Sequence, residues 1–187
     1  MSGRLLGKAA REGRSIAHVT PESAGWRYVG FEALRLGTGE KFEARTGPRE
    51  LCIVVVAGHV SVASGELSWK GLGNRASPFE DVAPYAVYLP PGRDVHIVAE
   101  DAAEVALCWA PAKRGVAPRL IEPATMKRTV RGQGSNTRFV RDILERAGAV
   151  AQAVPRQLAA GDGHMAGHDD DAQLARPRPG FELLACA

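Results

Sequence analysis

The chain has 187 residues, of which 45% are hydrophobic and 24% charged, and its formal net charge is +3. This length predicts one substantial domain, or one domain with a tail, and the composition is ordinary for a globular protein. The small charge and the lack of a basic groove with interleaved aromatics argue against nucleic-acid binding. The sequence has no apolar run of about 18 residues, so we expect no transmembrane helix. The charged N-terminus lacks the apolar stretch of a signal peptide, so the cytoplasm is the expected compartment.

Short strand patterns separated by turn signals follow one another from about Val19 to Ile143. Residues 25–36 alternate apolar and polar side chains, which is the period-2 signature of half-buried strands. The apolar run 50–56 predicts a central strand buried on both faces, and the residues after Gly58 predict its hairpin partner. Further short strands are expected at 67–69, 86–89, 96–99 and 105–109. Strands this short and frequent predict an all-β sandwich or barrel over residues 19–147.

The two ends of the chain differ from this middle region. Residues 1–18 are expected to be weakly ordered. Residues 139–147 predict a short C-terminal helix, with Asn136 or Thr137 as its cap. Residues 148–187 are rich in Ala, Gly and Pro, and segments such as 176–180 cannot continue a sheet. We therefore expect this tail to be irregular and disordered.

Three widely spaced cysteines, Cys52, Cys108 and Cys186, occur in the chain. Cys52 and Cys108 lie inside apolar runs, which predicts buried thiols that act as small hydrophobes. No histidine is placed to form a thiolate pair with either one, so we assign neither a catalytic role.

Residues 87–96 join a strand, a Pro-Gly turn and a histidine, His96, at the start of the next strand. This arrangement resembles the second conserved motif of cupins, in which the turn aims an inward histidine at a metal. The first cupin motif should supply a His-x-His pair and a glutamate, but the matching residues 39–50 contain no histidine. One histidine is too few for Zn²⁺ or Fe²⁺, which need at least three protein ligands. We therefore predict a single cupin-type jelly-roll barrel without a metal site, with His96 at the barrel mouth.

Five segments make this resemblance more specific, because they follow one another in the same order as in the sequences of one family. They are VTPESAGWRYVGF at 19–31, TGPRELC at 46–52, LGNRASPFE at 72–80, YLPPG at 88–92 and RGQGSNTR at 131–138. Together they resemble the N-terminal domain of the 5-deoxy-glucuronate isomerase family of myo-inositol catabolism. The resemblance runs from about Leu5 to Leu144, which is roughly three quarters of the chain.

The resemblance implies a protein of two cupin barrels. The N-terminal barrel would be largely structural, and the C-terminal barrel would hold a divalent metal through a His-x-His pair, a glutamate and a further histidine. It also implies an aldose–ketose isomerisation of 5-deoxy-glucuronate to 2-deoxy-5-keto-gluconate, in which a base moves a proton between neighbouring carbons. About forty residues after Ala147 are too few for a second barrel, so we expect a truncated member whose activity alone is in question.

Two histidines lie in the tail. His164 and His168 have the i, i+4 spacing that places two side chains on one face of a helix. Three nearby glycines disfavour a helix, however, and no glutamate or third histidine follows on a strand. We assign no metal site there. The tail's bias toward Ala, Arg, Pro, Gly and Asp also suits translation of a GC-rich gene in a shifted frame, in which case the adjoining DNA encodes the missing barrel.

Four residues are candidates for binding a sugar acid at the barrel mouth, while no catalytic residue is identified. They are Arg49, Glu50, Arg75 and His96. Arginine matches a carboxylate in charge and shape, although inter-strand or inter-domain salt bridges are the alternative for the charged residues of this set. Two other functions stay open beside the isomerase. One is a metal-free module that binds a sugar acid or a protein partner. The other is a structural remnant whose exposed apolar patch favours a homo-oligomer.

Overall fold

A computed structural model describes residues 10–113, 115–144 and 183–185 of the chain. Within these residues β-strands dominate and helices are short, which confirms the predicted all-β class. The strands are β1 (Ala10–Glu12), β2 (Ser15–Val19), β3 (Gly30–Leu36), β4 (Lys41–Arg45), β5 (Arg49–Ala57), β6 (Val60–Ser64), β7 (Leu67–Leu72), β8 (Ala86–Leu89), β9 (Asp94–Ala99), β10 (Ala103–Pro111), β11 (Arg119–Ile121), β12 (Lys127–Arg131), β13 (Arg138–Asp142) and β14 (Leu183–Ala185). The helices are α1 (Pro21–Ala24) and two 3-10 turns, Pro123–Thr125 and Gly134–Asn136.

Two antiparallel sheets pack face to face and form the body of the domain. The larger sheet has the order β1-β2-β3-β10-β5-β8-β11, and the smaller sheet has the order β4-β9-β6-β7. Since strand side chains alternate between faces, each strand sends every second residue into the space between the sheets. The core there is formed by aliphatic side chains from both sheets: Leu34, Leu36, Ile53, Val55, Val62, Val95, Ile97, Val105 and Leu107.

The outer face of the larger sheet is also covered. Cys52, Val54, Tyr88 and Ala106 point to this side and pack with residues of the segment 121–144. The segment supplies Ile121, Met126 and Ile143, and its β12–β13 pair forms a third sheet that β14 extends in parallel. We call these residues of the outer face the outer cluster. Because β5 lies between two apolar layers, its residues 51–55 are all buried, as the sequence predicts.

The predicted hairpin across Gly58 is wrong. β5 pairs with β10 and β8 in the larger sheet, whereas β6 pairs with β7 and β9 in the smaller one. Gly58 has a φ of +74°, and a Cβ atom there would lie 2.3 Å from the carbonyl oxygen of Ala102. The glycine thus lets the chain cross from one sheet to the other at a crowded point, rather than reverse within one sheet.

The predicted C-terminal helix is wrong for its described residues, because residues 138–142 form β13 and pair with β12. This pairing buries Val140, and the adjoining Ile143 packs on the outer cluster, so tertiary contacts outweigh local helix propensity. Residues 145–147 of that helix lie outside the described residues, as does the predicted tail apart from β14.

Residues 10–18 are the described part of the N-terminal region that the sequence predicts to be weakly ordered. Within its described part, β1 and β2 extend the larger sheet through antiparallel pairing with each other and with β3. Across all the described residues, no helix is long and apolar enough to span a membrane.

Candidate functional site

A cavity of about 390 Å³ opens between the two sheets, where β2 and β4 end and β5 begins. We call it the mouth cavity. Phe42, Leu51 and Leu107 line its apolar part and belong to or pack against the core between the sheets. Its polar and aromatic lining includes His18, Glu32, Arg49 and Trp109. The mouth cavity therefore combines an apolar wall with groups of both charges.

Trp109 is the central side chain of this lining. Gly30 is its register partner on β3, and a Cβ atom at Gly30 would lie 2.1 Å from the indole, so the ring rests directly on the glycine backbone. The guanidinium carbon of Arg49 lies 5.5 Å from the indole centroid, within cation–π distance. The ring of His18 meets the same indole edge to face, at a centroid distance of 6.0 Å. The indole, with Gly30 beneath it and Arg49 over it, holds the guanidinium at the cavity, where it can bind a carboxylate.

Glu32 gives the mouth cavity hydrogen-bond acceptors as well. It is the register partner of His18 and shares the inward face of β3 with Leu34. Arg45 also lines the cavity, but its Nε donates to Asp94 at 2.8 Å, which leaves Arg49 as the better placed anion ligand. Carboxylate oxygens accept from sugar hydroxyls, and a guanidinium binds a carboxylate. The cavity thus suits a small molecule that carries both hydroxyls and a carboxylate.

Glu50 follows Arg49 in sequence, but its side chain engages the outer face of β5. There its Oε2 accepts a hydrogen bond of 2.9 Å from the hydroxyl of Tyr88. Burial of the phenol, together with the carboxylate beside it, raises the pKa of Tyr88 to about 12. Glu50 thus lines the mouth cavity together with Arg49, and it also lines a small groove on the outer face, where it bonds to Tyr88.

Arg75 is 4% exposed and lies within the fold rather than at the mouth cavity. Its Nε donates to the carbonyl oxygen of Val56 at 2.6 Å, and its Nη1 donates to that of Val82 at 3.0 Å. These bonds fasten the loop after β7 to the end of β5. Arg75 also lines an open cleft of about 400 Å³, with His59, Glu80 and Asp101, next to the end of β5, whereas Arg49 begins that strand.

His96 lies on the outer face of the smaller sheet. Its sequence neighbours Val95 and Ile97 are fully buried in the core, so the pleat turns the imidazole toward solvent. Nδ1 lies 3.5 Å from a carboxylate oxygen of Glu43 on the adjacent strand. His96 therefore does not join Arg49 in the mouth cavity, in contrast to its expected position.

A histidine–aspartate pair at the open cleft was missed by the sequence analysis. Asp101 accepts a hydrogen bond of 2.7 Å from the backbone N–H of His59, and the imidazole Nδ1 lies 2.7 Å from its other oxygen. The hydrogen bond from the imidazole, followed by that from the backbone, lowers the pKa of Asp101. The sequence does show a turn at Gly58, next to His59, and an acidic turn at residues 100–101. These two turns were the only features that could have pointed to the pair. The pair fastens these turns together where the chain changes sheets.

The described residues do not fit a divalent metal. They contain no cluster of three or more His, Cys, Asp or Glu side chains with suitable geometry. His18 lines the mouth cavity, His59 lines the open cleft and His96 lies on the outer face of the smaller sheet. The tail histidines His164 and His168 lie outside the described residues.

Comparison of the sequence with known proteins identifies relatives of this chain. The model of the KduI/IolB family matches residues 5–158. The chain is similar to a 5-deoxy-glucuronate isomerase of Geobacillus kaustophilus (strain HTA426), with 38% identity over 70% of this chain and 47% of the relative. A protein of the same name from Halalkalibacterium halodurans is 37% identical over 75% of this chain and 54% of the relative.

The fold has a counterpart of known structure. An IolB-like protein from Salmonella typhimurium LT2 superposes with a TM-score of 0.70 and 39% identity, over 75% of this chain and 54% of the other. This likeness, with the two packed antiparallel sheets, confirms the predicted single cupin-type β domain. The chain spans about half the length of the curated relatives it matches.

Proposed function

The chain belongs to the KduI/IolB family, and we propose that it acts in the isomerisation of 5-deoxy-glucuronate as the metal-free barrel of a two-barrel isomerase. The observation that carries this proposal is its 37–38% identity, over 70–75% of the chain, to proteins named 5-deoxy-glucuronate isomerase. Since the chain spans about half of those relatives, the product 2-deoxy-5-keto-gluconate and the cytoplasmic location are parts of the proposal.

The described barrel contributes support rather than proton transfer in this proposal. The inward positions around its core are aliphatic, and its histidines are dispersed over three sites. No step through a metal is therefore assigned to the described residues. The divalent metal expected for the family would be held by residues beyond them.

A chimera tests this role. Residues 1–144 replace the matching half of the Geobacillus kaustophilus isomerase, and product formation is followed by NMR with Mn²⁺ or Zn²⁺ present. We expect the chimera to form 2-deoxy-5-keto-gluconate, whereas the chain alone binds no stoichiometric metal and forms no product. A chimera that is folded and metal-loaded but inactive would contradict the proposal. Turnover by the chain alone would contradict the metal-free assignment.

The mouth cavity supports a second candidate function, metal-free binding of a sugar acid. Arg49 and Glu32 offer a carboxylate ligand and a hydroxyl acceptor within one opening, and Trp109 holds the guanidinium in place there. Calorimetric titration with 5-deoxy-glucuronate in the presence of EDTA measures this directly. We expect Arg49→Met to weaken binding about tenfold, because one charge-assisted hydrogen bond is lost. Arg35→Met is the matched control, since Arg35 pairs with Glu104 away from the cavity. Equal affinities for both variants would exclude the mouth cavity as the site.

A further inference from the structure

Cys52 and Cys108 form a cross-strand pair at the centre of the larger sheet. In the antiparallel register of β5 and β10, the two residues are direct Cα partners. Both side chains belong to the outer cluster or pack against it, so they lie on the same face of the sheet. Both are thiols in this structure. The sequence analysis treats them as separate small hydrophobes, because the pairing depends on a register that no local pattern contains.

This placement is close to that of a disulfide. Directly opposite residues on antiparallel strands have Cβ atoms about 4.5–5.5 Å apart, whereas disulfides span about 3.5–4.5 Å between Cβ atoms. A bridge between β5 and β10 therefore needs a small closing movement of the two strands. Disulfides formed under such strain are reduced more readily than relaxed ones, so the bridge would be reversible.

The two thiols differ in access. Cys52 is 2% exposed, whereas Cys108 is partly exposed. Both line a small groove on the outer face, which Val29 and Leu144 border. A small oxidant can therefore reach the sulfur of Cys108 first, and the buried sulfur of Cys52 lies beside it to complete the exchange.

We propose that Cys52 and Cys108 are a reversible dithiol–disulfide site that responds to small-molecule disulfides. The thiolate of Cys108 attacks one sulfur of oxidised glutathione, forms a mixed disulfide and releases one glutathione. The thiolate of Cys52 then attacks the Cys108 sulfur, closes the Cys52–Cys108 bond and releases the second glutathione. The two cysteine protons end on the two released thiols, so the protein dithiol is oxidised as the glutathione disulfide is reduced.

The test uses the full chain with Cys186→Ser, which removes the third cysteine and leaves only this pair. The protein is equilibrated with glutathione buffers of rising oxidised fraction, quenched with acid, and measured by intact mass and by thiol titration in denaturant. We expect both thiols to be lost together, with the mass falling by two hydrogens and no glutathione retained, and dithiothreitol to restore both. A stable glutathione adduct, a disulfide-linked dimer or two persisting thiols would each overturn the proposal.

Two variants made in the Cys186→Ser background separate the roles of the two sulfurs. Cys52→Ser removes the resolving thiol, so a glutathione adduct should accumulate on Cys108. Cys108→Ser leaves only the buried thiol, so adduct formation should slow at least tenfold while circular dichroism shows an unchanged fold. Equal adduct rates for the two variants would contradict the order of attack. Because neither variant touches the mouth cavity, failure here leaves the sugar-acid proposal unaffected.

Discussion

Replacement of Arg75 by methionine tests whether this residue supports the fold or binds a ligand. Methionine keeps most of the aliphatic packing but removes the bonds to the carbonyl oxygens of Val56 and Val82. A buried carbonyl left without a donor costs about 1–3 kcal/mol, and bonds from a charged donor contribute at the upper end of the range for hydrogen bonds. Val82 is 38% exposed, so water takes over part of its lost bond. We therefore expect the free energy of unfolding to fall by about 3 kcal/mol.

Urea unfolding followed by circular dichroism measures this change, and an unaltered slope shows that the unfolded state is unchanged. Arg45→Met is the matched control, because Arg45 is 79% exposed and pairs with Asp94 on the surface. Such surface pairs contribute about 0–1 kcal/mol. Equal midpoints for the two variants would refute the argument. If Arg75→Met were as stable as the parent but failed to bind the sugar acid, the role of Arg75 would be in ligand binding.

Two further predictions concern the crossing between the sheets and the outer face. Gly58 and Gly39 have similar φ values, +74° and +76°, but only at Gly58 would a Cβ atom meet backbone, the carbonyl oxygen of Ala102 at 2.3 Å. Both alanine variants pay the left-handed cost of about 1–2 kcal/mol, and thermal unfolding should show Gly58→Ala to be at least about 1 kcal/mol worse. If the two variants lost equal stability, the clash with the carbonyl oxygen of Ala102 would be excluded as a cause. The folded protein holds the Tyr88 proton more tightly than the unfolded chain does, since the pKa rises from 10.0 to about 12 on folding. The protonated phenol therefore adds its full stabilisation below pH 10.0, and this stabilisation is lost as the pH rises through about 12. Spectrophotometric titration should show that Glu50→Gln lowers this pKa, and an unchanged titration would exclude the carboxylate as a cause.

The all-β class and the buried central strand could be predicted because they depend on local composition. In β5 the residues facing both sides are apolar, so a continuous apolar run indicates burial on both faces. The partner of each strand could not be predicted in this way. β6 follows β5 after Gly58 yet joins the other sheet, because long-range pairing with β9 determines its place. The segment at 138–142 is a strand for the same reason, since its partner β12 and the outer cluster select the conformation.

The candidate site was predictable in part. Arg49 and Glu50 both line the mouth cavity, and strand alternation alone implies that their side chains leave β5 on opposite faces, with Glu50 reaching Tyr88. The same alternation predicts an outward His96, since its neighbours Val95 and Ile97 are apolar. Trp109 could not be assigned to the cavity from sequence, because its place depends on two other strands. Gly30 on β3 lies against the indole, and Arg49 on β5 lies over it.

The distribution of polar groups in the described barrel limits where its chemistry can occur. A metal centre between the sheets needs several ligands that converge from inward positions, together with hydrogen-bonding partners that orient them. Along β9 the inward positions are held by Val95, Ile97 and Ala99, and along β5 they are held by aliphatic residues that are almost fully buried. A single histidine introduced there would be an isolated polar group in an apolar layer, at a cost of about 1–3 kcal/mol, and would still lack partners. We therefore expect any ligand of the described barrel to bind at its openings, and the mouth cavity is an opening lined by an indole, a guanidinium and a carboxylate.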